Sequence, residues 1–306
     1  MCKYTLCLAA MPDFNLPITE QIKLFKKIGF DGFFTHWSPD APINEYASVA
    51  KAEGMLYQSI HAPQWEIADI WSDDEIKANR VTNTLIDCLN SCAENGVPIM
   101  VSHAYLGFDD PDTMPNQAGF ERFDRVVDEA EKLGVKIAFE NTEGIHFLDA
   151  LLERYKDRQH VGFCFDSGHC NCYTPTRNLL AEYGERLIAT HFNDNLGIKD
   201  ENGKIFWTDD LHLLPFDGTV DWEKIAAELD NCGYDGVMTF ELKTHEVPDR
   251  HENDRYREMG LNAYLTEALS RAQRFAKMRN TYKFKRQKIL SLFLWKFKVI
   301  CSIIVW

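Results

Sequence analysis

Residues 136–168, KIAFENTEGIHFLDALLERYKDRQHVGFCFDSG, contain the unit that decides the fold. Its two ends, Lys136–Asn141 and Val161–Ser167, are short runs of apolar, aromatic and β-branched residues, which is typical of buried strands. The stretch between them, Phe147–Asp157, carries apolar residues at helical spacing. A strand, a helix and a second strand predict a parallel pair of strands joined by a crossover helix.

The same unit recurs along most of the chain. Strands are predicted at Tyr4–Ala10, Gly32–Trp37, Tyr57–Ala62, Ile99–Ala104, Lys136–Asn141, Val161–Ser167, Leu187–Asn193 and Val237–Leu242. Helices are predicted at Thr19–Ile28, Ile43–Glu53, Asp74–Glu94, Ala118–Leu133, Phe147–Asp157, Thr176–Glu185, Asp221–Asn231 and about Ala263–Met278. Eight such strands with crossover helices predict an α/β protein with one (β/α)8 TIM barrel domain over residues 1–280. A doubly wound open sheet is the alternative, but no GxGxxG or Walker loop follows the first strand.

Several predicted helix boundaries have a local chemical cause. A glycine, which adopts a positive φ at low cost, follows the predicted helices at Gly29, Gly54, Gly96, Gly134 and Gly233. Asp221 is placed to cap the helix that begins at Trp222. These boundaries support the division into strands and helices given above.

The composition is that of an acidic globular protein. The 306 residues carry a formal net charge of -14, which weighs against nucleic-acid or anionic-membrane partners. The nine cysteines have no framework spacing, and the opening MCKYTLCLAA favours a first strand over a signal peptide. We therefore expect a cytoplasmic protein with reduced thiols, in which Cys170 and Cys172 are unpaired on a loop.

Residues 281–306 break the repeating pattern. Within them Lys283–Trp306, KFKRQKILSLFLWKFKVICSIIVW, is too short and too interrupted by Lys296 and Lys298 to predict a membrane span. An interfacial amphipathic anchor and a poorly packed extension both stay open as interpretations. We expect this extension to lie outside the barrel and expect no membrane partner.

Polar side chains stand where the predicted strands end, and in a (β/α)8 barrel these ends meet at one mouth. The strand ends include His36, His61, His103, Glu140, Asp166, His191 and Glu241. Any one of them alone is more commonly a packed or ion-paired residue. Several carboxylates buried together without a cation would be costly, so the set predicts a divalent metal ion, either Mn, Mg, Co or Zn.

The ordered strand ends SIHAP, VSHAY, AFEN, FDSGH, THFND and TFEL resemble the xylose-isomerase-like barrel superfamily over about Cys2 to Met278. That superfamily contains sugar and sugar-phosphate isomerases and epimerases, and also apurinic endonucleases of the endonuclease-IV type. By resemblance to the epimerases, one divalent ion is expected on Glu140, Asp166, His191 and Glu241. The resemblance also implies that Glu140 and Glu241 are catalytic. One removes a proton beside a carbonyl polarised by the metal, and the other returns it on the opposite face.

The endonuclease-like branch implies a different use of the same residues. Its three-zinc pattern matches His61, His103, Glu140, Asp166, His169, His191, Asp210, His212 and Glu241. In an isomerase, by contrast, substrate contacts or a second metal ion are expected at His61, His103, His169, Asp210 and His212. The stretch at residues 210–222, DLHLLPFDGTVDW, is also similar to the DxHLxPGxGxxDW stretch of sugar isomerase and epimerase members.

The substrate contacts are less defined. Ketose epimerases usually carry an arginine shortly after the histidine of strand seven, whereas here Lys199 is the only nearby cation. Trp37 and Trp65 suit stacking on a sugar ring, although rim packing is an equal alternative. We predict a metal-dependent sugar or sugar-phosphate isomerase or epimerase with a small sugar or polyol as its partner. A multi-zinc phosphodiesterase and a non-catalytic polyol-binding barrel are the alternatives, and homo-oligomer formation stays open.

Overall fold

The computed structural model describes residues 4–279 apart from residues 109, 111 and 246. The strands are β1 (Leu6–Ala9), β2 (Gly32–His36), β3 (Leu56–His61), β4 (Ile99–His103), β5 (Lys136–Glu140), β6 (Val161–Asp166), β7 (Leu187–His191) and β8 (Met238–Phe240). They form one 8-stranded parallel sheet in which sequence neighbours pair and β1 also pairs with β8. The barrel closes where Phe192 pairs with Phe240 and donates its N–H to the Thr239 carbonyl at 2.8 Å. The prediction of a (β/α)8 TIM barrel is confirmed.

Helices cover the outer face of the sheet, as crossover connections require. They are α1 (Ile18–Ile28), α2 (Ile43–Glu53), α3 (Glu75–Glu94), α4 (Gln117–Leu133), α5 (Ile145–Arg154), α6 (Ser167–Tyr173), α7 (Leu179–Tyr183), α8 (Trp222–Asn231), α9 (Asp254–Met259) and α10 (261–279). All five glycines predicted to end helices have a positive φ. Asp221 accepts a hydrogen bond from the Lys224 N–H at 2.9 Å and so caps α8, as predicted.

Helix α6 was not predicted, and its start explains why. Asp166 is both the last residue of β6 and the N-cap of α6. It caps the helix because its carboxylate accepts a hydrogen bond from the His169 N–H at 2.7 Å. Gly168, which disfavours a helix in a sequence-based prediction, is needed because a Cβ there would lie 1.9 Å from Asn193 Oδ1. Cys170 and Cys172 therefore lie on a helix, which corrects the expected loop, and both are free thiols.

The helix predicted at Thr176–Glu185 is also shorter than expected. It is confined to α7 and continues as a 3-10 turn at Gly184–Arg186. Among the described residues, no helix is both long and apolar enough to cross a membrane. The C-terminal extension predicted at residues 281–306 lies outside the described residues.

The barrel interior beneath the mouth is apolar. Successive side chains of a strand alternate between its two faces, so the residue two positions before each strand-end polar residue shares its face. In β4 to β7 those positions hold Val101, Ala138, Cys164 and Ala189, which pack together as a buried cluster. The polar residues that end these four strands therefore stand on a floor of small apolar side chains.

Helix α10 is fixed to the barrel through Arg279, whose side chain is fully buried. Its Nε and one terminal nitrogen donate to Asp230 Oδ1 at 3.1 and 3.0 Å. The guanidinium also lies 4.6 Å from the centre of the Tyr4 ring and donates to the Tyr234 carbonyl. One arginine thus joins the end of α10, the end of α8 and the beginning of the chain.

We expect Arg279→Met to lower the free energy of unfolding by about 3–5 kcal/mol, because it removes a fully buried guanidinium that donates two hydrogen bonds to the buried Asp230 carboxylate. Urea unfolding followed by circular dichroism measures the change. The control is Arg125→Met on the exposed side of α4, which should change stability by no more than about 0.5 kcal/mol. Equal stability of the two variants would contradict this role for Arg279.

Candidate metal centre

Four ligand-type side chains meet at the carboxyl ends of neighbouring strands. Glu140, Asp166 and His191 end β5, β6 and β7, and Glu241 follows β8. One ligand atom from each lies within 4.8 Å of the others. The first three are fully buried and Glu241 is 5% exposed, so bulk water does not screen their charges. This group, called the inner site below, comprises the four residues for which a metal was expected.

Glu140 is surrounded by histidines. The Nδ1 of His191 lies 2.9 Å from Glu140 Oε1, and the Nε2 atoms of His61 and His103 lie 3.1 and 3.2 Å from Oε2. Burial acts to raise the pKa of Glu140, but these three rings hold it well below its usual range. The same His191 Nδ1 lies 3.3 Å from Glu241 Oε2, so one imidazole joins both glutamates.

The protein alone balances the charge of the inner site poorly. Burial acts to lower the pKa of His191, yet Glu140 and Glu241 raise it to about 10. Burial also raises the pKa of the Asp166 carboxyl to about 7, and the charge of Glu140 adds to this rise. Three carboxylates facing one imidazolium leave negative charge in a buried place, which a divalent cation would neutralise.

A second group of ligand-type side chains lies next to the inner site. The Nε2 atoms of His169 and His212 lie 3.3 and 2.5 Å from Asp210 Oδ2. His169 comes from α6, whereas Asp210 and His212 come from the segment after β7. No side chain in this group, called the second site below, is more than 10% exposed.

Backbone carbonyls fix the rings of three histidines. The Nδ1 atoms of His61, His169 and His212 lie 2.7, 2.9 and 3.0 Å from the carbonyl oxygens of Ala62, Asn141 and Glu241. Because a carbonyl oxygen only accepts, each Nδ1 carries a proton and each Nε2 faces a carboxylate oxygen. Such a pair repels unless a proton or a cation lies between the two atoms. Histidines whose far nitrogen is held by the backbone in this way are typical metal ligands.

The donor set passes a second test for a metal. At the barrel mouth, three buried ligand-type atoms have no hydrogen-bond partner among the described residues, namely His103 Nδ1, His191 Nε2 and Asp210 Oδ1. A third grouping of ligand atoms, His61 with Glu140 and His191, overlaps the inner site. Mixed imidazole and carboxylate donors suit Zn, Mn or Co. The residues present therefore fit a divalent cation at the inner site and a further one at the second site.

A cavity of about 220 Å³, called the inner cavity below, opens onto both sites. It is lined by His61, His103, His169, Asp210, His212 and Glu241. Of the predicted substrate contacts, Trp65 lines it, but Trp37 and Lys199 are not among its lining residues. Trp37 follows His36 and so points to the opposite face, where its indole N–H donates to Ser91 Oγ of α3 at 2.8 Å.

Sequence reasoning missed Lys243, which supplies a positive charge to the inner cavity. Lys243 comes two residues after Glu241 and therefore faces the same side, a signal that strand alternation contains. Tyr173 and Trp207 also line the inner cavity. Tyr173 stacks on His169 with ring centres 5.2 Å apart, but it lies on α6, the helix that was not predicted.

Asp194 fixes the segment that carries the second site. Its buried carboxylate accepts the N–H groups of Phe216 and Val220 at 2.9 and 3.0 Å and the indole N–H of Trp222 at 2.9 Å. Its backbone exchanges two hydrogen bonds with Leu213, at 3.0 and 2.8 Å. Phe216 has a φ of 73° at the position where the resembling isomerase stretch has glycine. The bond to Asp194 helps to hold this strained residue in place.

A family model described as a xylose isomerase-like TIM barrel matches residues 22–261 of the chain. This chain belongs to that family. The matched range contains every residue of the inner site and of the second site. The resemblance read from the strand ends is thus confirmed at the level of the family.

One relative of this chain is the uncharacterized protein y4fM of Sinorhizobium fredii, which is 28% identical over 264 residues. The match covers 73% of this chain and 80% of y4fM. Among solved structures, D-psicose 3-epimerase from Clostridium cellulolyticum H10 has a TM-score of 0.67 at 17% identity, covering 90% of this chain and 99% of its own. The IOLI protein with a bound zinc atom has a TM-score of 0.69 at 18% identity, with coverage of 91% and 99%. At such identities these structures share the fold with this chain.

We expect Asp194→Asn to lower the free energy of unfolding by about 1–3 kcal/mol, because either orientation of the amide turns its NH₂ group toward two N–H donors. Urea unfolding measures this loss. The matched control is Asp87→Asn on the exposed face of α3, which should leave stability nearly unchanged. A stable Asp194→Asn variant would show that the hydrogen bonds of the carboxylate do not hold the segment.

Proposed function

We propose that this protein is a metal-dependent sugar or sugar-phosphate isomerase or epimerase. The observation that carries the proposal is the pair of buried glutamates, Glu140 and Glu241, which approach His191 Nδ1 at 2.9 and 3.3 Å. Binding a metal and a polyol does not require two such groups, whereas proton removal and return does. The shared fold with a D-psicose 3-epimerase supports the same class.

The two glutamates would move the proton. Burial acts to raise the pKa of Glu241, but His212 and His191 hold it well below its usual range, as the histidines do for Glu140. Both groups are then ionised, so either can accept a proton from the carbon beside a carbonyl. Inversion of that carbon would require the other glutamate first to take up a proton, which it would then return on the opposite face. A divalent ion on Glu140, Asp166, His191 and Glu241 would supply polarisation of the carbonyl.

Other residues of the inner cavity would orient the substrate. The ammonium of Lys243 and the rings of His61 and His103 border the space above the inner site and offer polar contacts to sugar oxygens. Trp65 and Trp207 provide apolar faces at the same cavity, suited to packing against the C–H face of a sugar ring. The roles expected for Trp37 and Lys199 are not carried into this proposal.

A multi-metal phosphodiesterase is the second candidate, and the presence of three ligand groupings, two of which overlap, favours it. Phosphodiester cleavage benefits from metal ions about 3.5–4 Å apart on the attacking and leaving oxygens. The net charge of -14 opposes the tracking of a polyanionic duplex, which depends on many lysine or arginine contacts. We therefore place the isomerase first.

We expect Glu140→Gln and Glu241→Gln each to reduce solvent-deuterium exchange into ketose or aldose substrates by about 10²–10⁴-fold, because glutamine cannot carry the proton. Both variants should stay folded, since glutamine keeps the shape of the side chain. The control is Glu153→Gln on α5, where the glutamate pairs with Lys156 at the surface. Exchange at the wild-type rate in either variant would remove that glutamate from the mechanism.

We expect one tightly held divalent ion per chain, because the inner site offers three carboxylates and the second site only one. His103→Ala should raise the KM for the sugar more than it lowers metal content. Elemental analysis of both proteins, beside an assay for cleavage of a DNA duplex with one abasic site, makes the measurement. Three zinc ions per chain together with cleavage at the abasic site would establish the phosphodiesterase instead.

A further inference from the structure

A second cavity adjoins the inner cavity. This outer cavity has a volume of about 650 Å³, and its lining includes Ala68, Asp69, Trp71, Ser72 and Asp73. The two cavities have four lining residues in common, namely Trp65, Leu106, Phe108 and Trp207. A ligand seated over the metal centre therefore has an adjoining space into which it can extend.

The two tryptophans at this shared border are unusually exposed for their size. Trp65 is 76% exposed and Trp207 is 47% exposed. Large aromatic side chains in a folded protein are mostly covered, and exposed ones beside a cavity commonly mark a binding surface. An indole face offers a flat apolar surface, which matches the C–H face of a pyranose or furanose ring.

The charge of the outer cavity selects among ligands. Asp69 and Asp73 line it, and none of its lining residues within the described chain is a lysine or an arginine. Arg80 lies 3.7 Å from Asp69, but its guanidinium donates to Glu66 at 2.9 Å. Carboxylates accept hydrogen bonds from sugar hydroxyls and repel a phosphate group.

The volumes of the two cavities also favour a ligand larger than one sugar ring. The inner cavity, at about 220 Å³, is smaller than the roughly 300–1,000 Å³ of typical ligand sites, whereas the outer cavity, at about 650 Å³, lies within that range. A single ring at the metal centre would leave the outer cavity without ligand.

We propose that the outer cavity binds the second ring of a neutral glycoside whose first ring lies over the metal centre. The substrate class is then an unphosphorylated disaccharide or related glycoside. This inference rests on the proposed function, because it takes the sugar at the metal centre from there. Trp65 and Trp207 stack on the ligand where the two cavities meet, and Asp69 and Asp73 accept from hydroxyls of the second ring.

The test measures binding and turnover separately on the full chain with Mn²⁺ present. Calorimetric titrations use cellobiose, maltose, lactose and sucrose beside glucose, galactose, fructose and glucose 6-phosphate. We expect at least one disaccharide to bind about tenfold or more tightly than its component monosaccharides, and glucose 6-phosphate to bind no better than glucose. No advantage for any of the four disaccharides, or tighter binding of the phosphate ester, would overturn the proposal.

Two variants locate the effect in the outer cavity. Ala68 lines only the outer of the two cavities, so Ala68→Trp should remove the disaccharide advantage and leave monosaccharide affinity within about twofold. Ala52→Trp, on the exposed side of α2, is the matched control. Asp73→Leu alters an exposed residue with little risk to folding and should weaken only disaccharides, by about 2–10-fold. An advantage that survives both Ala68→Trp and Asp73→Leu would overturn the proposal.

Solvent-deuterium exchange separates this inference from the isomerase proposal. A reducing disaccharide (cellobiose, maltose or lactose) that binds through the outer cavity without any exchange would leave the ligand class standing and remove the isomerase. Exchange on a monosaccharide without any disaccharide advantage would leave the isomerase standing and remove the outer-cavity subsite.

Discussion

The contact between Glu140 and three histidines is the interaction on which the site depends. The carboxylate of Glu140, which has no solvent exposure, lies 2.9–3.2 Å from ring nitrogens of His61, His103 and His191. Each histidine comes from a different strand, so the contact requires a closed parallel barrel that brings β3, β4, β5 and β7 to one mouth. Opening the barrel would move His61 and His191 away from Glu140, because their strands β3 and β7 do not neighbour β5.

Burying these carboxylates together costs free energy that the fold alone does not offset. Glu140 and Asp166 lie above a floor of small apolar side chains, and Glu241 is buried beside them, so the effective dielectric constant is low and like charges repel strongly. Stability and chemistry therefore oppose one another here, as is common where charged groups are buried for function. A divalent cation would reconcile the two, because it would balance the carboxylates and supply an electrophile.

The sequence was sufficient where a residue's position follows from the strand period. Glu140, Asp166 and His191 end their strands as predicted, and their meeting at one mouth follows from parallel pairing alone. The two-residue alternation of side chains along a strand also predicts the positions of Lys243 and Trp37. It places Lys243 on the same face as Glu241, and it directs Trp37 to the face opposite His36. Contacts distant in sequence could not be derived this way. Gly168 disfavours the prediction of α6, and the reason for a glycine there is its close approach to Asn193. That approach depends on how the segments after β6 and β7 pack.

The most direct test of this account is a crystal structure of the protein grown with Mn²⁺ and measured for anomalous scattering. The account predicts a strong anomalous peak at the inner site, with Glu140, Asp166, His191 and Glu241 as its ligands. An ordered inner site without such a peak, in which His191 Nδ1 stays at hydrogen-bond distance from Glu140 as it is here at 2.9 Å, would contradict it.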